Sequence, residues 1–435
     1  MRATMKKSSY LKAGALIALL ALALPATSTH WVGDAQAQDD DFEGWLTYVD
    51  YYVGEQQTQD AVRTRMVADI NNATEQIEAA FGAIDDGEVV QALQRAAERG
   101  VQVRLVSDEE SAGISGISAL LNTDGVDATL GDGPISYLPD PTLTTVLSYC
   151  ETHPSQDYIR CQSGGQAGNN DNLVNRPDHF NVMTHSFVVI DTTTVWNITA
   201  PLTDEQPLWL AFRAMSEDLA RSFRREFNQM HAGVFSTTLS VYNGPLKSMT
   251  QNVTLRRTNR GQMRVRFNPQ ERLVKNVIDE VYRAKGSVWM MTEDLQNRDL
   301  IRALRYKQDA GFDVRVMVGS TQGPSVNSEL DDLDVVRAPA SMGLLPTFIV
   351  YDSERDIQGN RQPRLVQMLS HKLWQGAPLD VITRPSSPAS DEVRIYPSDT
   401  FVDGAMWEIL EDGTVRYEAV EPFVQAWQTL WSEAQ

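Results

Sequence analysis

The residues best suited to catalysis are two histidines in apolar parts of the chain. His185 comes just before a short apolar run, and His371 is followed directly by Lys372. An imidazole can act as a nucleophile or as a general acid or base near neutral pH. Lys372 and Ser370 together could also bind an anion, although one cation makes a weak anion site. These residues are therefore the candidates for nucleophilic or acid–base catalysis and for anion binding.

Strands must position these side chains. The run from Phe187 to Ile190 is β-branched or aromatic and predicts a buried strand that ends at Asp191. Residues 192–194 form a turn, residues 195–197 begin a second strand, and Pro201 stops it. The segment Phe348–Asp352 repeats Phe187–Asp191 at an offset of 161 residues.

These two segments resemble the signature of the phospholipase D superfamily. In that signature Met-His-x-Lys-Phe, three apolar residues and Asp are followed by a turn and Gly-Ser-x-Asn. Aligned on Phe and Asp, the family's His falls on Thr184 and Leu345 and its Lys on Ser186 and Thr347. Its Gly-Ser-x-Asn falls on Ile198, Thr199, Ala200 and Pro201 in the first segment, and on Leu369, Ser370, His371 and Lys372 in the second. The framework of the signature is present, and its catalytic residues are replaced.

The resemblance implies that these replacements remove the family's catalytic groups. In the family, two signatures meet across a pseudo-twofold interface, where one His attacks phosphorus and the other protonates the leaving alcohol. Residues i and i+2 of a strand share a face, so we expect one shared cleft lined by Thr184, Ser186, Leu345 and Thr347. None of these side chains can replace an imidazole or a lysine. No catalytic residue is therefore assigned.

Three further interpretations concern the remaining candidates. The family's acids mainly organise the turn after the strand, and this role is expected for Asp191 and Asp352. Thr199 and Ser370 occupy the family's Ser position and Lys372 its Asn position. These three residues are counted with the cleft, as are Asp191 and Asp352. His185 is one residue out of register, which turns a side chain to the opposite face of a sheet. His185 and His371 are accordingly the candidates for a rearranged active site.

The order of predicted elements indicates a duplicated α/β fold. Residues 88–104 match residues 299–315 at an offset of 211, each as a helix, a glycine stop and a strand. We predict two fused phospholipase D-like halves, each a mixed β-sheet flanked by helices, related by a pseudo-twofold axis. The first half spans residues 38–255, with an insertion at about 131–180, and the second spans residues 256–435. A helix is expected to end each half, at residues 208–231 and 422–432.

The N-terminus and the charge indicate an exported protein. Three lysines precede the apolar run Ala13–Leu24, and Ala35-Gln36-Ala37 is typical of a signal-peptide cleavage site. Cleavage near Ala37 removes four basic residues and one acid, so the formal charge changes from −20 to about −23. Such a charge argues against nucleic acid as a partner. The mature chain contains no apolar run long enough to cross a bilayer.

The only two cysteines, Cys150 and Cys161, lie in the insertion. In an exported chain this pair predicts one disulfide that closes a short loop. No metal site and no cofactor are predicted.

Three functions remain open at this stage. The favoured one is a secreted or periplasmic pseudoenzyme that binds an unknown ligand or protein partner through a degenerate phosphodiesterase cleft. The second is an active phospholipase D-type phosphodiesterase with rearranged catalytic residues, for which phospholipid is the candidate substrate. The third is a structural or interaction protein of the cell envelope.

Overall fold

The computed structural model describes most of both predicted halves. The described residues are 48–54, 56–108, 110–131, 150–152, 159–161, 185–199, 202, 209–232, 253–258, 261–268, 273–293, 295, 297–320, 330–343, 345–352, 365–369, 382–383, 392–393, 399–405, 408–409, 415–416 and 421–435. The predicted signal peptide lies outside these ranges, as does most of the insertion. In the described part, no helix has the length and apolar character needed to span a membrane.

The first half forms one mixed sheet with four helices. Its strands are β1 (Tyr48–Gly54), β2 (Gln76–Phe81), β3 (Gln102–Asp108), β4 (Val126–Gly131), β5 (Cys150–Thr152), β6 (Ile159–Cys161), β7 (Ser186–Ile190), β8 (Thr194–Ile198) and β9 (Trp209–Met215). Its helices are α1 (Gln56–Asn72), α2 (Gly87–Glu98), α3 (Ser115–Leu121) and α4 (Glu217–His231). The strand order is β1-β9-β8-β7-β2-β3-β4-β6-β5, in which β2, β3, β4 and β6 are parallel.

The second half forms another mixed sheet. Its strands are β10 (Val253–Thr258), β11 (Gly261–Asn268), β12 (Ser287–Thr292), β13 (Asp313–Val318), β14 (Val335–Arg337), β15 (Thr347–Tyr351), β16 (Leu365–Leu369) and β19 (Asp399–Ala405). Short pairs outside the sheet are β17 (Ile382–Thr383) with β18 (Glu392–Val393) and β20 (Glu408–Ile409) with β21 (Val415–Arg416). Its described helices are α5 (Leu273–Arg283), α6 (Arg298–Asp309) and α7 (Glu421–Ala434). The order is β10-β11-β19-β16-β15-β12-β13-β14.

The two halves have the same topology. The order β1-β9-β8-β7-β2-β3-β4 of the first sheet corresponds, strand for strand, to β11-β19-β16-β15-β12-β13-β14 of the second. β2 and β12 begin at residues 76 and 287, which is the offset of 211 seen in the sequence, and β7 and β15 keep the offset of 161. Even the caps correspond, because Asp86 caps α2 and Asn297 caps α6. The predicted fold class of two fused α/β halves is confirmed.

One hydrophobic cluster, which we call the shared core, draws on both halves. α4 and α7 contribute Phe223, Phe227, Phe423 and Trp427 to it. The strands contribute Val49, Ala80, Phe187, Val189, Phe212, Phe267, Trp289, Met291, Phe348 and Val350. The opposite face of each sheet packs on its own helices, and these separate clusters are the first-half core and the second-half core.

One expected element is wrong in part. Residues 209–215 form strand β9 and not the start of a helix, and α4 begins only at Glu217. The physical reason is the alternation along β9, where Leu210, Phe212 and Ala214 enter the shared core and Arg213 points to the other face. There Arg213 donates to Asp69 of α1 at 2.7 Å. Ser216 then caps α4 by accepting from the backbone N–H of Leu219.

Candidate functional site

The first signature strand separates the candidate residues onto two faces. On β7, Phe187 and Val189 point into the shared core, whereas Val188 and Ile190 point into the first-half core. Side chains alternate along a strand, so Ser186 lies on the face of Val188 and Ile190. Ser186 is buried there.

The second signature strand repeats this arrangement. On β15, Phe348 and Val350 point into the shared core, and Thr347 lies on the other face. The Thr347 hydroxyl is 3.1 Å from the hydroxyl of Thr292, and both side chains are fully buried. Leu345 precedes the strand and packs in the shared core. The structure therefore brings Leu345, but neither Ser186 nor Thr347, to the shared core.

His185 is the described histidine of the first signature, and it lies against the shared core. Its side chain has no exposed surface, and its Nε2 lies 3.3 Å from Oε1 of Glu226 on α4, which is also fully buried. Its ring packs edge-on against Phe187 and contacts Phe267 of the second half, with ring centres 5.3 and 6.2 Å apart. The backbone N–H of Gly82 donates to the His185 carbonyl at 2.7 Å. His185 is thus held by both halves of the protein.

The two signature acids fasten the turn after each strand to the start of the neighbouring strand. Asp191 accepts hydrogen bonds from the backbone N–H groups of Thr74, Glu75 and Gln76, and Asp352 accepts from those of Lys285 and Gly286. Both acids have positive φ, at 47° and 54°, in the left-handed region that Asp tolerates better than most residues. Their predicted role in the turn therefore accords with their contacts.

The same contacts affect the two acids differently. Burial alone would raise the pKa of Asp191, but the hydrogen bonds from residues 74–76 outweigh it and lower the pKa below the ordinary value. Burial raises the pKa of Asp352, and the hydrogen bonds from residues 285–287 and the charge of Lys307 offset it only in part. The turn of the second half therefore holds its carboxylate less favourably than the turn of the first.

Each half also has one buried acid where its parallel strands end. In the first half Asp108 ends β3, and Gly82 follows β2. In the second half, at the offset of 211, Glu293 follows β12 and Gly319 follows β13. Because β12 and β13 correspond to β2 and β3, the acid and the glycine stand on opposite members of the strand pair in the two halves. Glu293 Oε2 accepts from the backbone N–H of Leu345, the family's His position, at 2.8 Å.

Several predicted residues lie outside the described part of the chain. Thr184, Ser370, His371 and Lys372 are among them, so the shared cleft expected from the sequence stays a prediction. Thr199 is described, and its buried hydroxyl donates to the carbonyl of Leu210 at 3.2 Å. Across the described ranges, no three His, Cys, Asp or Glu side chains converge as a metal site.

The cysteines are described by their backbone only. Cys150 of β5 and Cys161 of β6 are direct partners in an antiparallel pair. Partners of that kind have Cα atoms about 4.5–5.5 Å apart, which is within the range that a disulfide spans. The disulfide itself stays a prediction, since the two side chains lie outside the described part.

A known protein family matches most of the first half of the chain. Residues 66–231 match the sequence model of a family described as cardiolipin synthase, PLD-like domain. Residues 66–231 correspond to a phospholipase D-like domain. The superfamily resemblance read from the two signatures is therefore confirmed. No curated protein sequence matches the chain.

Solved structures similar to the chain include three proteins of low identity. Phosphatidylserine synthase of Haemophilus influenzae Rd KW20 is 12% identical, with 89% of this chain and 86% of that chain covered and a TM-score of 0.49. NucT of Helicobacter pylori is 15% identical over 42% of this chain and 95% of its own, with a TM-score of 0.30. Nuc of Salmonella typhimurium, a phospholipase D family member, is 17% identical over 42% and 93%, with a TM-score of 0.28.

The sequence did not single out the carboxylates Glu226 and Glu293 or the amide of Asn197 as site residues. Glu226 lies within the helix predicted to end the first half, but the sequence does not indicate that it is a buried partner of His185. Glu293 was detectable in principle, because the repeat at 211 residues pairs it with Gly82, a position where a long acid is unexpected.

Proposed function

We propose that the mature chain is an exported phospholipase D-like protein that has lost catalysis and binds a ligand or a protein partner through the region between its two halves. Export is inferred from the N-terminal 37 residues and from the acidic composition. The loss of catalysis is inferred from the residues that stand at the family's positions. The identity of the ligand is left to experiment, with phospholipid among the candidates.

The observation that carries the proposal is the state of His185. A nucleophilic or acid–base imidazole needs a nitrogen within hydrogen-bond reach of the substrate. His185 Nε2 faces Glu226 at 3.3 Å, and the ring has no exposed surface. At the other family positions that are described, Ser186, Leu345 and Thr347 are buried and neutral. Losing a single positioned acid–base group typically lowers a rate by about 10²–10⁴.

The test is turnover of phosphatidylcholine and of bis(4-nitrophenyl) phosphate by the purified mature protein. We expect rates equal to those of buffer. The variants His185→Ala and His371→Ala are measured beside His231→Ala, a control at the end of α4, and all three are checked for folding by circular dichroism. Turnover that is present in the wild type, lost in either of the first two variants and kept in the control would refute the proposal.

One observation favours a second candidate, the rearranged phosphodiesterase. His185 and Glu226 form a histidine–carboxylate pair, and a carboxylate that orients an imidazole is a recurring part of nucleophilic sites. For this candidate the pair would have to open toward substrate. The turnover experiment decides between the two, because only the rearranged enzyme loses activity in His185→Ala.

A further inference from the structure

The shared-core face of the first sheet contains a polar side chain whose buried end has no partner. Asn197 on β8 lies opposite Phe187 of β7 and Phe212 of β9. Its side chain is 2% exposed, and within the described part of the chain its buried Oδ1 accepts no hydrogen bond. Buried polar atoms without partners are rare and costly, so each one calls for an explanation.

The surroundings of Asn197 are aromatic on one side and polar on the other. Phe223 contacts both Phe187 and Phe212, the two residues paired with Asn197. When the β7–β8 pairing is extended by two residues, His185 lies opposite Thr199 and diagonal to Asn197. These residues lie where β2 ends and β7 begins, at the carboxyl end of the parallel strands, which is the edge where α/β sheets bind ligands.

We propose that Asn197 anchors a binding site for a hydroxyl or ammonium group of a ligand. The proposal rests on the proposed function, because it names the ligand class for the region between the halves. Oδ1 is an acceptor, so its partner must donate a hydrogen bond. An alcohol or an ammonium donates, whereas a phosphodiester anion carries no proton at neutral pH and offers only acceptors. The site therefore selects against the family's phosphate group.

The test measures binding of three small probes to the full mature chain by isothermal titration calorimetry. Glycerol supplies hydroxyl donors, ethanolamine adds an ammonium, and dimethyl phosphate supplies a phosphodiester anion that has no donor. We expect saturable binding of glycerol or ethanolamine, weakened about tenfold or more in Asn197→Leu, because one hydrogen bond and its desolvation are worth about that factor. The glycerol and ethanolamine arms separate the two donor chemistries.

Gln367 provides the matched control. It is a fully buried amide on β16 of the second half, where its Oε1, unlike that of Asn197, accepts from the Tyr351 hydroxyl at 2.6 Å, while its Nε2 has no partner among the described residues. Gln367→Met should leave probe binding unchanged. If Asn197→Leu does not fold, Asn197→Ala takes its place, since it removes the amide without adding bulk.

Three results would overturn the inference. The first is no saturable binding of glycerol or ethanolamine, which would mean that an ordered water satisfies the amide. The second is binding that the Asn197 variants leave unchanged. The third is tighter binding of dimethyl phosphate than of either donor probe. Phosphodiesterase turnover is measured in parallel, so a failure of the proposed function appears there and not in the probe titrations.

Discussion

Gly319→Ala is the substitution whose effect the structure determines most directly. A Cβ atom at residue 319 would lie 2.2 Å from both Cδ and Oε2 of Glu293. The Glu293 side chain is fully buried, and Oε2 holds the backbone N–H of Leu345 at 2.8 Å. The carboxylate must therefore move, and its movement breaks that hydrogen bond.

The expected loss of stability has two parts. Overpacking of a buried site costs about 1–3 kcal/mol. Loss of a hydrogen bond to a charged group costs about 1.5–3 kcal/mol. We therefore expect Gly319→Ala to lower the free energy of unfolding by about 2.5–6 kcal/mol. The measurement is urea unfolding followed by tryptophan fluorescence. Gly113→Ala is the control, because a Cβ there would meet no atom within 4 Å.

A double-variant cycle tests the cause. Glu293→Ala alone removes the acceptor of the Leu345 N–H hydrogen bond and opens a space, so it also destabilises the protein. In the double variant with Gly319→Ala, the new methyl group enters that space and no longer meets a carboxylate. The two losses should then sum to clearly more than the loss in the double variant. A Gly319→Ala protein within about 0.5 kcal/mol of wild type, or strictly additive losses, would refute the reasoning.

Two other predictions concern the turn acids and the cysteines. The pKa of Asp191 is lowered, so the stability that this carboxylate contributes is lost as pH falls through its folded pKa. The difference in unfolding free energy between wild type and Asp191→Asn should therefore become smaller below pH 3.8. The pKa of Asp352 is raised, so the folded protein takes up this proton before the unfolded chain as pH falls. The difference in unfolding free energy between wild type and Asp352→Asn should therefore become larger as pH falls through the raised pKa toward 3.8. If the two differences changed in the same direction, the different turn environments would be contradicted. Cys150 and Cys161 should form a disulfide worth about 2–3 kcal/mol, and alkylation of two thiols in the non-reduced protein would disprove it.

The fold was largely predictable because the chain repeats its own pattern. The offsets of 211 and 161 residues reappear as equal strand positions, and the glycines at residues 100 and 311 both have a φ of 86°. The error at residues 209–215 arose because Trp209–Met215 also reads as a continuation of the helix that follows. Side chains along this strand alternate between the shared core and the first-half core. Burial on both faces therefore overrides the local helical pattern.

The site was less predictable because its contacts join distant parts of the chain. His185 meets Glu226 from α4 and Phe267 from the other half, and no local spacing indicates either contact. The unbonded amide of Asn197 likewise appears only when the register of β7, β8 and β9 is known. By contrast, the roles of Asp191 and Asp352 could be expected from the signature alone, since each acts on the adjacent strand.

The most direct test of the loss of catalysis is to trap a covalent phospho-enzyme. The mature protein is incubated with a short-chain phospholipid, quenched at alkaline pH and analysed by intact-mass and peptide mass spectrometry. The account predicts an unmodified protein, because the described family positions hold no histidine and His185 is enclosed against Glu226. A phosphatidyl group bonded to His185 or His371, formed with release of the headgroup alcohol and absent from the corresponding alanine variant, would contradict it.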